Sequence, residues 1–154
     1  GLRRGELLAL RWNDIDLDNG LLYERNRDGH VTKSGKERSV PLAGDAKEVL
    51  LHLKEQRSDN LSGPVFLDGR NKPPRPARVS KRFKFYVREA KLKNRKRLHF
   101  HSLRHTTASW LAMKGVPMRV IQQILGHASV SQTEVYSHLQ PEVMQRAMQE
   151  TFGE

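Results

Sequence analysis

From Ser102 onward the chain is divided into short pieces by its own helix breakers. Gly115, Gly126 and Pro141 interrupt an otherwise helix-forming stretch at close intervals. A chain punctuated in this way cannot build long helices; it must fold as a cluster of short ones joined by tight turns. Ser102 reads as the cap of a helix running to Lys114 and closed by Gly115. Met118–Leu125 forms the next, closed by Gly126. Ser131, with Glu134 three residues on, makes a capping-box pattern that starts a helix carrying Tyr136. Pro141 opens the last helix, to about Thr151. The polar residues in this stretch are spaced by the same breaks: His101 and Arg104 precede and begin the first helix, His127 follows the second by 23 residues from Arg104, and Tyr136 comes nine residues later.

Upstream, residues 4–11 place Leu7, Leu8 and Leu10 among Arg and Glu, a short helix closed by Asn13-Asp14. Leu21–Arg25, Val31–Lys33 and Arg38–Leu42 are short extended segments, with turn signals at Asp28-Gly29 and Ser34-Gly35 between them. Asp45 reads as the N-cap of a helix to about Arg57, with Val49, Leu50 and Leu53 on one face. Leu61–Pro76 is a Gly/Pro-rich loop with a brief strand at Val65–Leu67. Val79, Phe83, Val87 and Ala90 recur at helical spacing, so 78–92 is an amphipathic helix. Tyr23 and Tyr86 read as packing residues and Trp110 as core. The expected class is α+β, mostly α, with a small antiparallel three-stranded sheet.

With 36% apolar residues and a mean hydropathy of −0.71, a soluble globular chain is expected. No apolar run approaches the roughly 20 residues that cross a bilayer. The absence of cysteine excludes disulfides, thiolate metal sites and thiol catalysis, and fits a reducing cytoplasm. The formal net charge of +11 is unevenly distributed. Arg70 to Arg104 holds fourteen Lys/Arg and one acid, Glu89, so this stretch carries +13 and the rest of the chain −2. Such clustering fits a polyanion partner, most simply nucleic acid, bound with strong salt dependence. A solvated basic helix is the plainer alternative. Arg78, Lys81, Arg82, Lys84 and Arg88 are the candidate phosphate contacts.

His101, Arg104, His127 and Tyr136 are residue types that bind, protonate or attack a phosphodiester. Transfer at phosphorus needs a nucleophile, neutralisation of the non-bridging oxygens, and a proton for the leaving alkoxide. A tyrosine can form a covalent phosphotyrosyl intermediate. An arginine presents two donors at once and never loses its charge. Each residue also has an ordinary reading. Tyr136 fits a buried stripe with Val135 and Leu139. His127 can cap helix carbonyls beside Gly126. His101, His105 and nearby His99 suggest a metal pair, but no acid lies between Glu89 and Glu134 to complete a charged ligand set. His105 alone reads as structural, its ring bonded to backbone.

The order of the motifs resembles the catalytic domain of the tyrosine recombinase (phage integrase) family over essentially the whole chain. Gly1-Leu2-Arg3-Arg4-Gly5-Glu6-Leu7-Leu8-Ala9-Leu10-Arg11-Trp12 is similar to that family's first arginine box. Thr32-Lys33-Ser34-Gly35-Lys36-Glu37-Arg38 resembles its β-hairpin lysine segment, His101-Ser102-Leu103-Arg104-His105 its His-x-x-Arg box, and Leu125-Gly126-His127 with Tyr136 the remainder. The resemblance implies the fold of DNA breaking-rejoining enzymes. It also implies a catalytic set of Arg3, Lys33, His101, Arg104, His127 and Tyr136. Tyr136 would form a 3′-phosphotyrosyl link, Arg3, Arg104, His101 and His127 would hold the oxygens, and Lys33 would protonate the departing 5′ oxygen. Lys36 and Arg38 compete with Lys33 for that last role. Arg4 is read as solvent-facing. Glu6 is either an ordinary first-turn acid or, as in similar proteins, a buttress of the active site.

No cofactor is implied, neither metal nor ATP. The implied partners are double-stranded DNA, further copies of the protein in a tetramer on DNA, and accessory DNA-bending proteins, in a bacterial or phage-encoded cytoplasmic setting without a membrane. Two other functions compete with a strand-exchanging integrase: a type IB topoisomerase-like relaxase, and a catalytically silent DNA-binding remnant of a prophage integrase. Residues 1–154 read as one catalytic domain and as a fragment. The N-terminal core-binding domain and the first catalytic-domain helix are expected to be absent, with weak DNA binding as the result.

Overall fold

The computed structural model describes residues 1–27, 29, 35–57, 62–140 and 143–153. Contacts divide the chain into two compact units, one formed by Leu2–His101 and the other by Gly1 with Ser102–Glu154.

The first unit begins with helix α1 (Arg4–Ala9), followed by a 3-10 turn at Trp12–Asp14. Strands β1 (Ile15–Asp16), β2 (Leu21–Glu24) and β3 (Arg38–Pro41) form an antiparallel sheet in the order β1-β2-β3. Leu22 faces Ile15 on one side and Val40 on the other, and Glu24 faces Arg38. Gly20, at φ 64°, makes the left-handed turn into β2. The side chain of Asp16 accepts from both the backbone and side-chain amides of Asn19, which tightens the same turn. Helix α2 (Gly44–Glu55) follows, and α3 (Pro76–Glu89) starts with proline in its first turn.

Leu10, Trp12, Leu22, Leu50 and Val65 form the core of this unit, with Leu7, Ile15, Leu42, Leu53 and Phe66 packed around them. Burying side chains of this kind contributes about 1.5–3 kcal/mol each. Backbone bonds from Trp12 N–H to the Gly63 carbonyl and from Val65 N–H to the Leu10 carbonyl hold the loop over the core. Arg57 donates to the carbonyls of Pro64 and Val65 and lies 5.8 Å from the Trp12 ring.

The second unit contains α4 (Ser102–Met113), α5 (Met118–Leu125), α6 (Ser131–Glu134), a 3-10 turn at Ser137–Leu139 and α7 (Val143–Phe152). Its core joins Ala108, Ala112, Ile121, Leu125 and Tyr136. The two alanines lie four apart on one face of α4, and their small side chains let α5 approach closely. Gly115 and Gly126 end their helices in the same way. Both have positive φ, at 76° and 67°. Val116 N–H reaches back to Leu111 and His127 N–H to Gln122, the bond pattern of a Schellman closure.

The α+β class and the three-stranded sheet agree with the expectation, but the strands do not all coincide. The outer strand is Ile15–Asp16, a pair too short to show alternation, while Val31–Lys33 lies outside the described residues. Val65–Leu67 is not a strand; Pro64 makes a single bridge to Arg11. Ala43, not Asp45, is the N-cap of α2, and Val130, not Ser131, precedes α6 as its cap. Tyr136 therefore sits beyond α6, at the entry to the 3-10 turn, and not on a helix. Trp110 is 68% exposed and Tyr86 is also exposed, because the helical stripes that meet the cores run through Ala108/Ala112 and Val87 instead.

Gly126→Ala should lower stability by about 1–2 kcal/mol, the cost of holding a Cβ in left-handed backbone. A thermal melt of the variant tests this.

Candidate functional site

In the second unit, α4 carries Arg104 and His105 on consecutive residues. Arg104 is 3% exposed, and its Nη1 donates to the Gly1 carbonyl at 2.8 Å. The Tyr136 ring packs into the core and is 7% exposed. Its hydroxyl lies 2.5 Å from Nδ1 of His105. Burial pushes the Tyr136 hydroxyl above its ordinary pKa, and the positive charge of Arg104 pulls in the opposite direction.

His127 is positioned from both sides. Its backbone closes α5: the N–H bonds to the Gln122 carbonyl at 3.1 Å, and the His127 carbonyl accepts from Gln122 Nε2 at 3.2 Å. Arg119 in turn holds the Gln122 side chain. On the other side, His127 Nδ1 is 2.8 Å from the hydroxyl of Thr133. Thr133 is fully buried, and its own carbonyl accepts from Tyr136 N–H at 3.0 Å. One threonine thus ties the histidine ring to the backbone of the tyrosine.

In the first unit, Arg3 is the N-cap residue of α1. Its backbone N–H and its Nη1 both donate to Glu6, at 2.8 and 2.6 Å. Arg38 reaches the other side of the same carboxylate at 2.8 Å. Glu6 is 3% exposed. Burial alone would raise its pKa, but hydrogen bonds from Arg38 and Arg3, with the charge of Arg38, hold it below the usual carboxylate value. His101 is exposed, with its ring 6.5 Å from that of His99. Lys33 lies outside the described residues. Among the described residues no three His, Cys, Asp or Glu side chains gather as a metal site, and no helix is long and apolar enough to cross a membrane.

The basic residues of α3 are exposed, and several hold contacts within the unit. Arg78 pairs with Asp68 at 3.5 Å, and Lys84 donates to the Lys96 carbonyl. Arg82 donates to the Tyr86 hydroxyl and lies over the rings of Phe85 and Tyr86. Arg88 flanks Phe85 and neighbours Glu89. Arg78, Lys81, Arg82 and Phe85, with Asp68 and Pro74, line a cavity of about 610 Å³.

The structure thus brings Arg104 and Tyr136 together in one unit and ties His127 to the tyrosine backbone through Thr133; Arg3 and His101 belong to the other unit. Sequence reasoning missed Thr133, Gln122 and the Arg38–Glu6 pair. It also gave His105 a backbone partner in place of the Tyr136 hydroxyl. Arg4, read as solvent-facing, is exposed but donates to Ser80 on α3.

A model of the phage integrase family matches residues 1–142. The chain is 35% identical over 148 residues to a tyrosine recombinase XerC of Thermodesulfovibrio yellowstonii, covering 90% of this chain and 46% of that protein. It is 31% identical over 152 residues to the tyrosine recombinase XerA of Pyrococcus furiosus, covering 97% and 50%. Among solved structures it resembles a crystal structure of XerA recombinase, with TM-score 0.75 and 27% identity over 98% of this chain and 52% of that one. It also resembles the XerH site-specific recombinase bound to a palindromic difH substrate after cleavage, with TM-score 0.72 and 25% identity over 96% and 41%. The chain belongs to the phage integrase family. It spans about half the length of the curated relatives it matches.

Two substitutions probe the supports of this site. Thr133→Val keeps the shape but removes the hydroxyl from His127, and should cost about 1–3 kcal/mol in urea unfolding without changing the slope. Glu6→Gln should cost a comparable amount, roughly 1–3 kcal/mol, at neutral pH. Because folded Glu6 has a depressed pKa, its contribution is present above the ordinary carboxylate value and lost as pH falls through the folded one. The gap between wild type and Glu6→Gln should therefore narrow in acid.

Proposed function

We propose that this chain is the catalytic part of a site-specific DNA recombinase, an integrase, that cuts and rejoins DNA through a 3′-phosphotyrosyl intermediate at Tyr136. The observation that carries the reading is the Tyr136 hydroxyl, hydrogen-bonded at the edge of a buried core and within the field of Arg104. The resemblance to the XerH site-specific recombinase, solved with its difH substrate after cleavage, supports DNA as the partner.

In this mechanism the Tyr136 oxygen attacks phosphorus and the bond to the 5′ oxygen breaks. Arg3, Arg104, His101 and His127 bind the non-bridging oxygens, where charge-assisted donors are strongest. Lys33 gives its proton to the departing 5′ oxygen. A 5′-hydroxyl from a partner duplex then attacks the phosphotyrosine and restores the phosphodiester. The bond energy is kept in the intermediate, so the chemistry requires neither ATP nor a metal. Arg78, Lys81, Arg82, Lys84 and Arg88 contact DNA phosphates, exchanging some of their present partners for the backbone. Exchange of strands between two duplexes requires four copies on DNA, with DNA-bending proteins as accessories in a cytoplasmic setting.

The test uses the full-length protein with a nicked suicide duplex in EDTA. A covalent protein–DNA adduct that disappears in Tyr136→Phe is the expected result. An adduct that survives this substitution, or forms only with a divalent metal, overturns the reading.

A further inference from the structure

Forming the phosphotyrosyl bond requires Tyr136 to lose its hydroxyl proton, and nothing in the roles above receives it. Arginine cannot, since it stays charged. Desolvation makes the loss harder, because the buried hydroxyl resists ionisation. A nucleophile of this kind is activated by a base within hydrogen-bond reach.

The side chain at that distance is His105. Its Nδ1 lies 2.5 Å from the Tyr136 oxygen, with the rings tilted by 48°. His105 is itself exposed while Tyr136 is buried. The imidazole therefore spans from the reacting oxygen to water. It sits one residue from Arg104 in the first turn of α4, so helix geometry sends the two neighbouring side chains in different directions. The other charged or titratable residues on the elements packed around Tyr136 are Arg104 on α4, Arg119 on α5, His127 at its end, Glu134 on α6 and His138 in the 3-10 turn. Of these, His127 has Nδ1 engaged with Thr133 and Arg119 donates to Gln122.

We propose that His105 is a catalytic residue, the base that takes the Tyr136 proton as the phosphotyrosyl bond forms. The step balances: the O–H bond of Tyr136 breaks and its proton moves to His105 Nδ1. The oxygen's electron pair forms the bond to phosphorus, the bond to the 5′ oxygen breaks, and that oxygen is protonated by Lys33. On religation the proton returns from His105 to the tyrosine. The assignment fixes a tautomer: Nδ1 must be bare before reaction, with the proton on Nε2. It rests on Tyr136 being the nucleophile, so Tyr136→Phe is run beside every other variant.

The experiment measures single-turnover adduct formation by the full-length protein on the nicked suicide duplex. His105→Gln keeps a polar group but cannot accept a proton near neutral pH. Its rate should fall on the order of 100-fold, the low end for a lost general base. The deficit should shrink toward alkaline pH as hydroxide takes over, and added imidazole should partly restore His105→Gly. Unchanged rates, or a loss that neither alkali nor imidazole relieves, overturn the assignment while leaving the nucleophile in place. An adduct that survives Tyr136→Phe instead overturns the reading beneath it. Nitrogen NMR of the unsubstituted protein tests the tautomer without any variant: a neutral His105 ring with a bare Nδ1 is expected, and a neutral ring protonated on Nδ1 overturns the proposal.

Discussion

The arrangement of the second unit depends on a single buried hydroxyl. Thr133 has no exposed surface, yet it sits on the shortest α-helix among the described residues, whose four residues could not hold a conformation by helix propensity alone. It is kept in place by what it bonds. Its side chain meets the ring of His127 and its carbonyl meets the backbone of Tyr136. A polar atom buried this deeply is costly unless its partner is present, so histidine and threonine specify each other. The closing turn at Gly126 supplies the other half of the constraint, because it determines where the His127 backbone leaves α5.

The first unit solves a similar problem with charge. A carboxylate at Glu6 is removed from water and surrounded by two guanidinium groups. Removing one partner of such a group costs far more than the net worth of the pair, since the remaining charge is left in a poor solvent. Arg38 contributes from β3, where its cross-strand neighbour is Glu24. The sheet, which is only two to four residues deep, therefore matters less as a layer than as the support that brings Arg38 to α1.

Much of this was legible from residue order, and the failures have physical causes. Helix breakers act locally, so Gly115 and Gly126 marked the ends of α4 and α5 correctly. Arg104, His127 and Tyr136 stand out as candidates because their side-chain chemistry and spacing are carried by the chain itself. Hydrogen-bond partners are not. Nothing local distinguishes Thr133 from other threonines, and the partner of His105 lies 31 residues away. Capping signals also misled. Asp45 and Ser131 are good caps in isolation, but each helix starts one residue or more earlier because packing sets its first turn. Trp110 shows the same limit: the α4 face that packs inward is chosen by the small alanines, which a ranking by hydrophobicity places last.

Helix α3 illustrates a different kind of constraint. Arg75 and Arg78 stand at its N-terminal end, where the backbone's unsatisfied N–H groups already carry positive charge, and no acid lies in its first turn. The helix is therefore held in shape against its own electrostatics. Val87 in the core and the edge-on contact of Phe83 with Phe100 supply the opposing force. Such an element is frustrated by design of its sequence, stable through one side and strained through the other, and its strain falls whenever counterions gather along the charged side.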